Sequence, residues 1–326
     1  MTMSWTSAQR ETTERRDIAA ELTERIATLI EQTGKVPWKR EWDPAKCAGP
    51  QAPVNAFTGE LYHGINALMF GLDARPIISG DPRWATFKQA QDAGCHITKG
   101  AKAVLGVFYK PLEIEDDKAE DGKRTIPLLK TFHVFHATEI AGLPSYEPPS
   151  AEAAPWTRPE AVTLIMQNSG AAFRIGGDRA FYSPAFDTIQ MPPDAAFERR
   201  EYWAATVIHE INHSTGHPSR MNRDLSHKFG SDAYACEEAR VEMAACFVCN
   251  TLNLPTDFEN HAAYVAGWLS KLREDKRELL RAAADAQKIA DWTLCYHPNY
   301  AARHGTQPER PVSSSPPLRP ELRPET

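Results

Sequence analysis

The run Ala204-Ala205-Thr206-Val207-Ile208-His209-Glu210-Ile211-Asn212-His213 leaves the chain few choices. Imidazoles four residues apart share one face of a helix, so one cation can take a nitrogen from each. Glu210 then stands beside them, placed to accept a proton from water. Two histidines do not complete a catalytic zinc site, so the fold must carry a third ligand to this helix from elsewhere in the chain.

Two segments compete to supply it. Gly216 extends the pattern to H-E-x-x-H-x-x-G, which in metzincins requires histidine at the position held here by Ser219. His217 sits in the same turn and is either a substrate or transition-state contact or a plain solvent-facing histidine. The second segment is Tyr234 to Ala245, which reads as a long helix. Glu238 and Glu242 share one of its faces, and that face runs on into Ala245 and Cys249. Carboxylates on a buried face need a partner. The arrangement resembles the gluzincin-like E-x-x-x-D pattern, which makes Glu238 the third ligand and Glu242 the acid that orients a ligand histidine. Glu237 is expected to point away, towards the surface. Two imidazoles and one carboxylate suit Zn2+, and also Mn2+ or Fe2+. With Glu210 as the catalytic base, the natural reaction is metal-assisted hydrolysis of a peptide bond in a peptide or protein substrate of unknown identity. The stretch Tyr182 to Pro192 is either an edge strand along which an extended peptide lies or a structural hairpin.

Around this centre the pattern is α+β in two domains. Residues 15–33 place Ile18, Leu22, Ile26 and Ile30 on one helical stripe ended by Gly34 and Pro37. A turn-rich passage follows, then a helix near 66–71 and a short helix over 84–94. Strands at 103–109 and 131–135 flank an acidic run, Glu113 to Asp121, that reads as a solvated loop. A Pro/Ala-rich connector at 147–158 divides this first module, residues 1–146, from a mostly helical second one, residues 159–300. The second module opens with a helix at 160–169 and short extended pieces at 172–175, 180–182 and 188–191. Helices are expected over 197–214, 232–252, 259–270 and 271–290. Residues 301–326 read as a disordered tail. The charged N-terminus and the absence of a long apolar run suggest a cytoplasmic protein with no membrane partner. Cys246 and Cys249 have C-x-x-C spacing but no second pair, and read as core thiols. A net charge of −6 argues against a generic polyanion binder. Most of the acid surplus falls in the second module, however, and the first becomes slightly basic once its acidic run is set aside.

The sequence resembles the ArdC-type antirestriction proteins of conjugative plasmids, whose first domain also occurs in TraC-type plasmid primases. The resemblance rests on Gly34-Lys35-Val36-Pro37-Trp38, Asn55 with Thr58-Gly59, Tyr62 to Asn66, Arg83 to Ala90, Gly94, Lys99 to Lys102, Phe132 to Phe135 and Gly142 to Pro144. In the second module it rests on His209 to His217, Ser219 to Arg223, Tyr234 to Glu238, and Tyr264 to Trp268. It departs at Ala101, where the family usually has glutamate, and at Ala239-Arg240-Val241, where Leu-Val-Ala is commoner; the bulkier Val241 bears on how the Glu238 helix packs. The resemblance implies a single-stranded-DNA-binding domain joined to a zincin-like metallopeptidase domain, protecting incoming plasmid DNA from host restriction. A strand binder needs aromatic faces for bases and cations for phosphates. Candidates are Trp38, Lys39, Arg40, Tyr62, Asn66, Arg83, Trp84, Lys88, Lys99 and Lys102. The competing readings are a DNA-recruited regulatory or toxin-like metallopeptidase, and a pure single-stranded-DNA binder whose metal only staples two helices.

Overall fold

The computed structural model describes residues 17–36, 52–115, 123–147, 158–228, 230–254 and 262–304. Helix α1 (Ile18–Thr33) starts where the Asp17 carboxylate accepts from the Ala20 amide at 3.1 Å. It ends at Gly34, whose φ of +67° lets its N–H reach the Ile30 carbonyl. Its stripe of Leu22, Ile26 and Ile30 is buried.

Strand β1 (Val54–Asn55) is followed by helices α2 (Gly64–Gly71) and α3 (Ala74–Ser79), strand β2 (Arg83–Thr86) and helix α4 (Phe87–Asp92). The helix expected over 84–94 therefore begins late, because Trp84 to Thr86 pair with β5 (Lys123–His136) as antiparallel strand. Thr86 then caps α4 through a reciprocal bond with Gln89, and this box fixes the switch from strand to helix. After β3 (His96–Ile97), strands β4 (Val104–Glu115) and β5 form a ribbon well beyond the expected bounds, with β4 running into the acidic segment and β5 starting just after it. The sheet order is β1-β2-β5-β4, so β4 is an edge. Asn66 covers that edge locally: its amide donates to the Val107 carbonyl at 2.7 Å and accepts from the Val107 N–H at 2.8 Å. Strand β6 (Ile140–Ala141) pairs with β3 and closes a small core of Ala85, Ala90, Cys95 and Ile140.

The connector at 148–157 lies outside the described residues. Beyond it come α5 (Arg158–Asn168) and a three-stranded sheet of β7 (Ala172–Ile175), β8 (Phe181–Ser183) and β9 (Thr188–Met191) in the order β7-β9-β8. Helices α6 (Arg200–Ser214), α7 (Asp232–Leu252), α8 (Ala262–Glu274), α9 (Glu278–Leu294) and α10 (Pro298–His304) complete the described chain. The break between α8 and α9 falls at 275–277 and not at 270, because the Asp275 carboxylate accepts from the Arg277 amide there. Residues 301–304 continue α10; the rest of the expected tail lies outside the described residues.

Helix α7 packs against α6, α8 and α9, and buried Ala239, Ala244, Ala245, Ala282, Ala283 and Ala286 occupy this region. Small side chains let helix axes approach closely. Cys246 and Cys249 are buried free thiols in the same core. One cluster of buried side chains runs from Leu22 and Ile26 through Phe70 and Trp84 to Ile208, Met243 and Trp268. Helix α1 rests on α8 and α9, and α2 rests on α9. Polar bonds reinforce the junction: Thr23 Oγ1 donates to the Lys276 carbonyl at 2.7 Å, and the Gly64 amide donates to Gln287 Oε1 at 2.7 Å.

Candidate metal centre

Helix α6 presents His209 and His213 to the same side, and α7 brings Glu238 across to meet them. The two Nε2 atoms lie 3.2 Å apart, and the Glu238 carboxylate oxygens stand 3.7 Å from His209 Nε2 and 3.5 Å from His213 Nε2. Donors held about 2.0–2.1 Å from a tetrahedral Zn2+ are separated by roughly 3.3 Å. The three side chains therefore already have the spacing that a small divalent ion requires, and among the described residues they alone form such a group. Two neutral nitrogens and one carboxylate oxygen also suit Mn2+.

The cluster lies in the wall of a cavity of ≈ 930 Å3, with Glu210, Glu242, Tyr234, His227 and Tyr182 around it. Burial is the dominant electrostatic influence. It pushes the Glu210 carboxyl up to about 7, and with the neighbouring His213 it pulls His209 down to about 4. For Glu238 burial acts upward, but His213, His209 and the Tyr234 hydroxyl outweigh it and hold the carboxyl down to about 2. His213 shows the mirror image: burial acts downward, and the carboxylates of Glu238 and Glu237 hold it well above its ordinary value. The carboxylates around His213 thus favour positive charge at that position.

Glu237 departs from expectation. It is buried, and Arg223 grips it through Nε at 3.1 Å and Nη2 at 2.7 Å, while its Oε1 faces His213 Nδ1 at 3.7 Å. Arg223 also donates to the Asn212 carbonyl at 3.0 Å and to Thr215 Oγ1 at 2.5 Å. The loop after α6 is thereby tied to both ligand helices. Glu237 thus faces the second nitrogen of His213, a role that the sequence suggested only for Glu242. Glu242 is buried in the cavity wall near the Tyr234 hydroxyl. Val241 packs without displacing Glu238, and Arg240 joins α7 to α9 through Glu278 at 2.7 Å and Asp285 at 3.1 Å.

His217 does not line the cavity. Its Nδ1 lies 2.8 Å from Ser219 Oγ and 3.8 Å from Asp187, which also pairs with Arg220. Asp187 in turn accepts from the Tyr182 hydroxyl at 2.8 Å. Strand β8, an edge of its sheet, borders the cavity through Phe181 and Tyr182, and the Tyr182 backbone amide hydrogen-bonds the Glu210 carboxylate. Tyr234, His227 and Glu237 were not chosen from the sequence, and Tyr182 entered only as the first residue of the stretch read as an edge strand or a hairpin. Tyr234 left a signal there, four residues before Glu238 on the same helical face.

The proposed strand-binding residues fare unevenly. Trp38, Lys39 and Arg40 lie outside the described residues. Trp84 is 0% exposed, stacked on Phe70 at 5.3 Å, and has no face to offer a base. Tyr62 packs edge-on against Phe70, and its hydroxyl accepts from Asn55. Asn66 is used by the β4 edge. Arg83 is paired with Asp81 at 2.8 Å and donates to the Pro144 carbonyl. Lys88, Lys99 and Lys102 are exposed. No helix among the described residues is long and apolar enough to cross a membrane.

Comparison with known proteins agrees with this layout. Residues 160–285 match the model of a zincin-like metallopeptidase, and residues 16–135 that of the N-terminal domain of anti-restriction factor ArdC. A DNA primase TraC of Escherichia coli is 38% identical over 298 residues, which is 86% of this chain and 27% of that protein. The chain thus spans about a quarter of that primase. An uncharacterized protein y4eC of Sinorhizobium fredii (strain NBRC 101917 / NGR234) is 33% identical over 85% of this chain and 91% of its own length. The crystal structure of metal-free antirestriction ArdC from plasmid R388 superposes with a TM-score of 0.72 at 35% identity, covering 87% of this chain and 99% of that one. Its Mn(II)-bound counterpart gives 0.71. With an ArdC N-terminal domain preceding a zincin-like domain that holds a His209–His213–Glu238 cluster, the chain belongs to the ArdC family of antirestriction proteins.

Proposed function

We propose that this protein binds single-stranded DNA through its first module, carries a metal-dependent peptidase centre in its second, and shields incoming plasmid DNA from host restriction. The observation that carries the enzymatic half is the triangle of His209, His213 and Glu238 beside Glu210 in one cavity. A divalent ion in that triangle supplies Lewis acidity to a substrate carbonyl and acidifies a water. Glu210, whose carboxyl burial holds near neutrality, takes the proton of the attacking water and returns it to the leaving amine. The Tyr182 amide keeps that carboxylate in place, and the β8 edge offers backbone groups to an extended peptide. The nucleic-acid half is supported by family membership and by the likeness to a DNA primase.

Glu210→Gln tests the assignment. The variant should load Zn2+ or Mn2+ to the same stoichiometry as the parent, measured by elemental analysis, while cleavage of a denatured protein such as casein falls by at least about 100-fold. Failure of the parent to hold one ion per chain, or undiminished cleavage by the variant, refutes the catalytic reading. Transfer of an unmodified plasmid into a restricting recipient, with and without the variant, measures whether hydrolysis contributes to protection.

A further inference from the structure

The β4–β5 ribbon is long and its two faces differ in chemistry. Twelve residues of β4 extend about 40 Å. The register sets Gly106 opposite Phe132, Phe108 opposite Lys130, Lys110 opposite Leu128, and Ile114 opposite Arg124, so all of these belong to one face. Its described side chains include three cations, Lys110, Arg124 and Lys130, and no acid, in a protein of net charge −6. Glu115 lies on the opposite face.

Aromatic and apolar groups lie among these cations. Phe108 is 46% exposed and Leu112 is 42% exposed. The Phe108 ring lies 6.1 Å from Phe132, which meets Phe70 edge-on at 6.4 Å. Phe132 can lie across the ribbon only because position 106 is glycine: a Cβ there would stand 2.4 Å from the ring. The aromatic row is thus anchored in the core at one end and open to solvent at the other.

The geometry points to this face as the surface that takes a single strand of nucleic acid, its bases stacking on Phe108 and its phosphates following Lys110 and Lys130. An apolar surface alone would suit many partners. Exposed aromatic area interleaved with cations, with no acid among the described side chains of this face, matches a polyanion whose bases have apolar faces. The assignment rests on the single-strand-binding reading above and gives it a location different from the one suggested by the sequence, since Trp84, Asn66 and Arg83 are already engaged.

The test uses the full chain and a fluorescein-labelled oligothymidylate long enough to cross the ribbon, followed by anisotropy over a salt series. Phe108→Ala should weaken binding roughly 10-fold. Lys110→Gln with Lys130→Gln should weaken it further and reduce the slope of log affinity against log salt by about 0.7 per lysine. Tyr109→Ala, on the opposite face, should bind as the parent does. All these positions are exposed, and unchanged melting temperature and Mn2+ uptake certify the variants as folded. If the parent binds and the ribbon variants bind equally well, the ribbon is excluded while the DNA reading stands. If the parent binds no oligonucleotide, both fall. Adsorption to anionic phosphatidylserine vesicles through the ribbon, without oligonucleotide binding, also overturns the proposal.

Discussion

At the residue scale, the position of His213 is set by groups that do not touch an ion. Arg223 fixes Glu237, and Glu237 faces His213 Nδ1, so this carboxylate governs the orientation and basicity of the ring. Glu237→Gln keeps the size of the side chain but removes its charge. Affinity for Zn2+ or Mn2+ should fall about 10- to 100-fold, measured by competition with a chromogenic chelator. An unaltered affinity in the Glu237 variant would remove that role. The candidate ligands were legible because helical periodicity puts His209 and His213 on one face of their helix and Glu238 on a definable face of the next. Glu237 was not, because its burial depends on a guanidinium reaching back from a loop fourteen residues earlier. Periodicity carries no information about such a return.

Elements followed the apolar pattern where one existed. The stripe of α1 and the face of α7 gave their helices nearly to the residue, since each buries one side and is capped by residues suited to the task, Asp17 and Ser231. The outer half of the ribbon escaped because its alternation, Leu112-Glu113-Ile114-Glu115, leads straight into the acidic run that reads as a solvated loop. Trp84 misled in a related way, as a large aromatic beside Thr86 and Phe87 fits a helix until β5 claims it for the sheet. Gly106 is the local device that lets the ribbon carry Phe132. Gly106→Ala should destabilise the protein by about 1–3 kcal/mol in denaturant unfolding, since the new methyl and the ring compete for one space. Adding Phe132→Ala removes that clash, so the two changes together should cost less than their sum by about 1 kcal/mol or more. Additive costs would show that the ring moves aside freely.

For the whole molecule, the sequence offered a connector and a change of pattern, and these say nothing about whether the parts on either side touch. The packing supplies what was missing. Ile26 is fully buried on α1, which rests on α8 and α9, and α9 rests in turn on α7, the helix that carries Glu238. The metal cluster is therefore only two layers of helix away from the start of the described chain. Loss of a buried isoleucine to alanine removes about 2–5 kcal/mol, which for a unit of this size lowers a melting temperature by several degrees. If the core acts as one body, Ile26→Ala should lower the midpoint for loss of helical circular dichroism and the midpoint for release of bound Mn2+ together and by the same amount. An ion released at the parent's temperature after the helix signal has shifted would mean that the first module melts off an intact metal domain, and the shared core would then be contact without cooperativity.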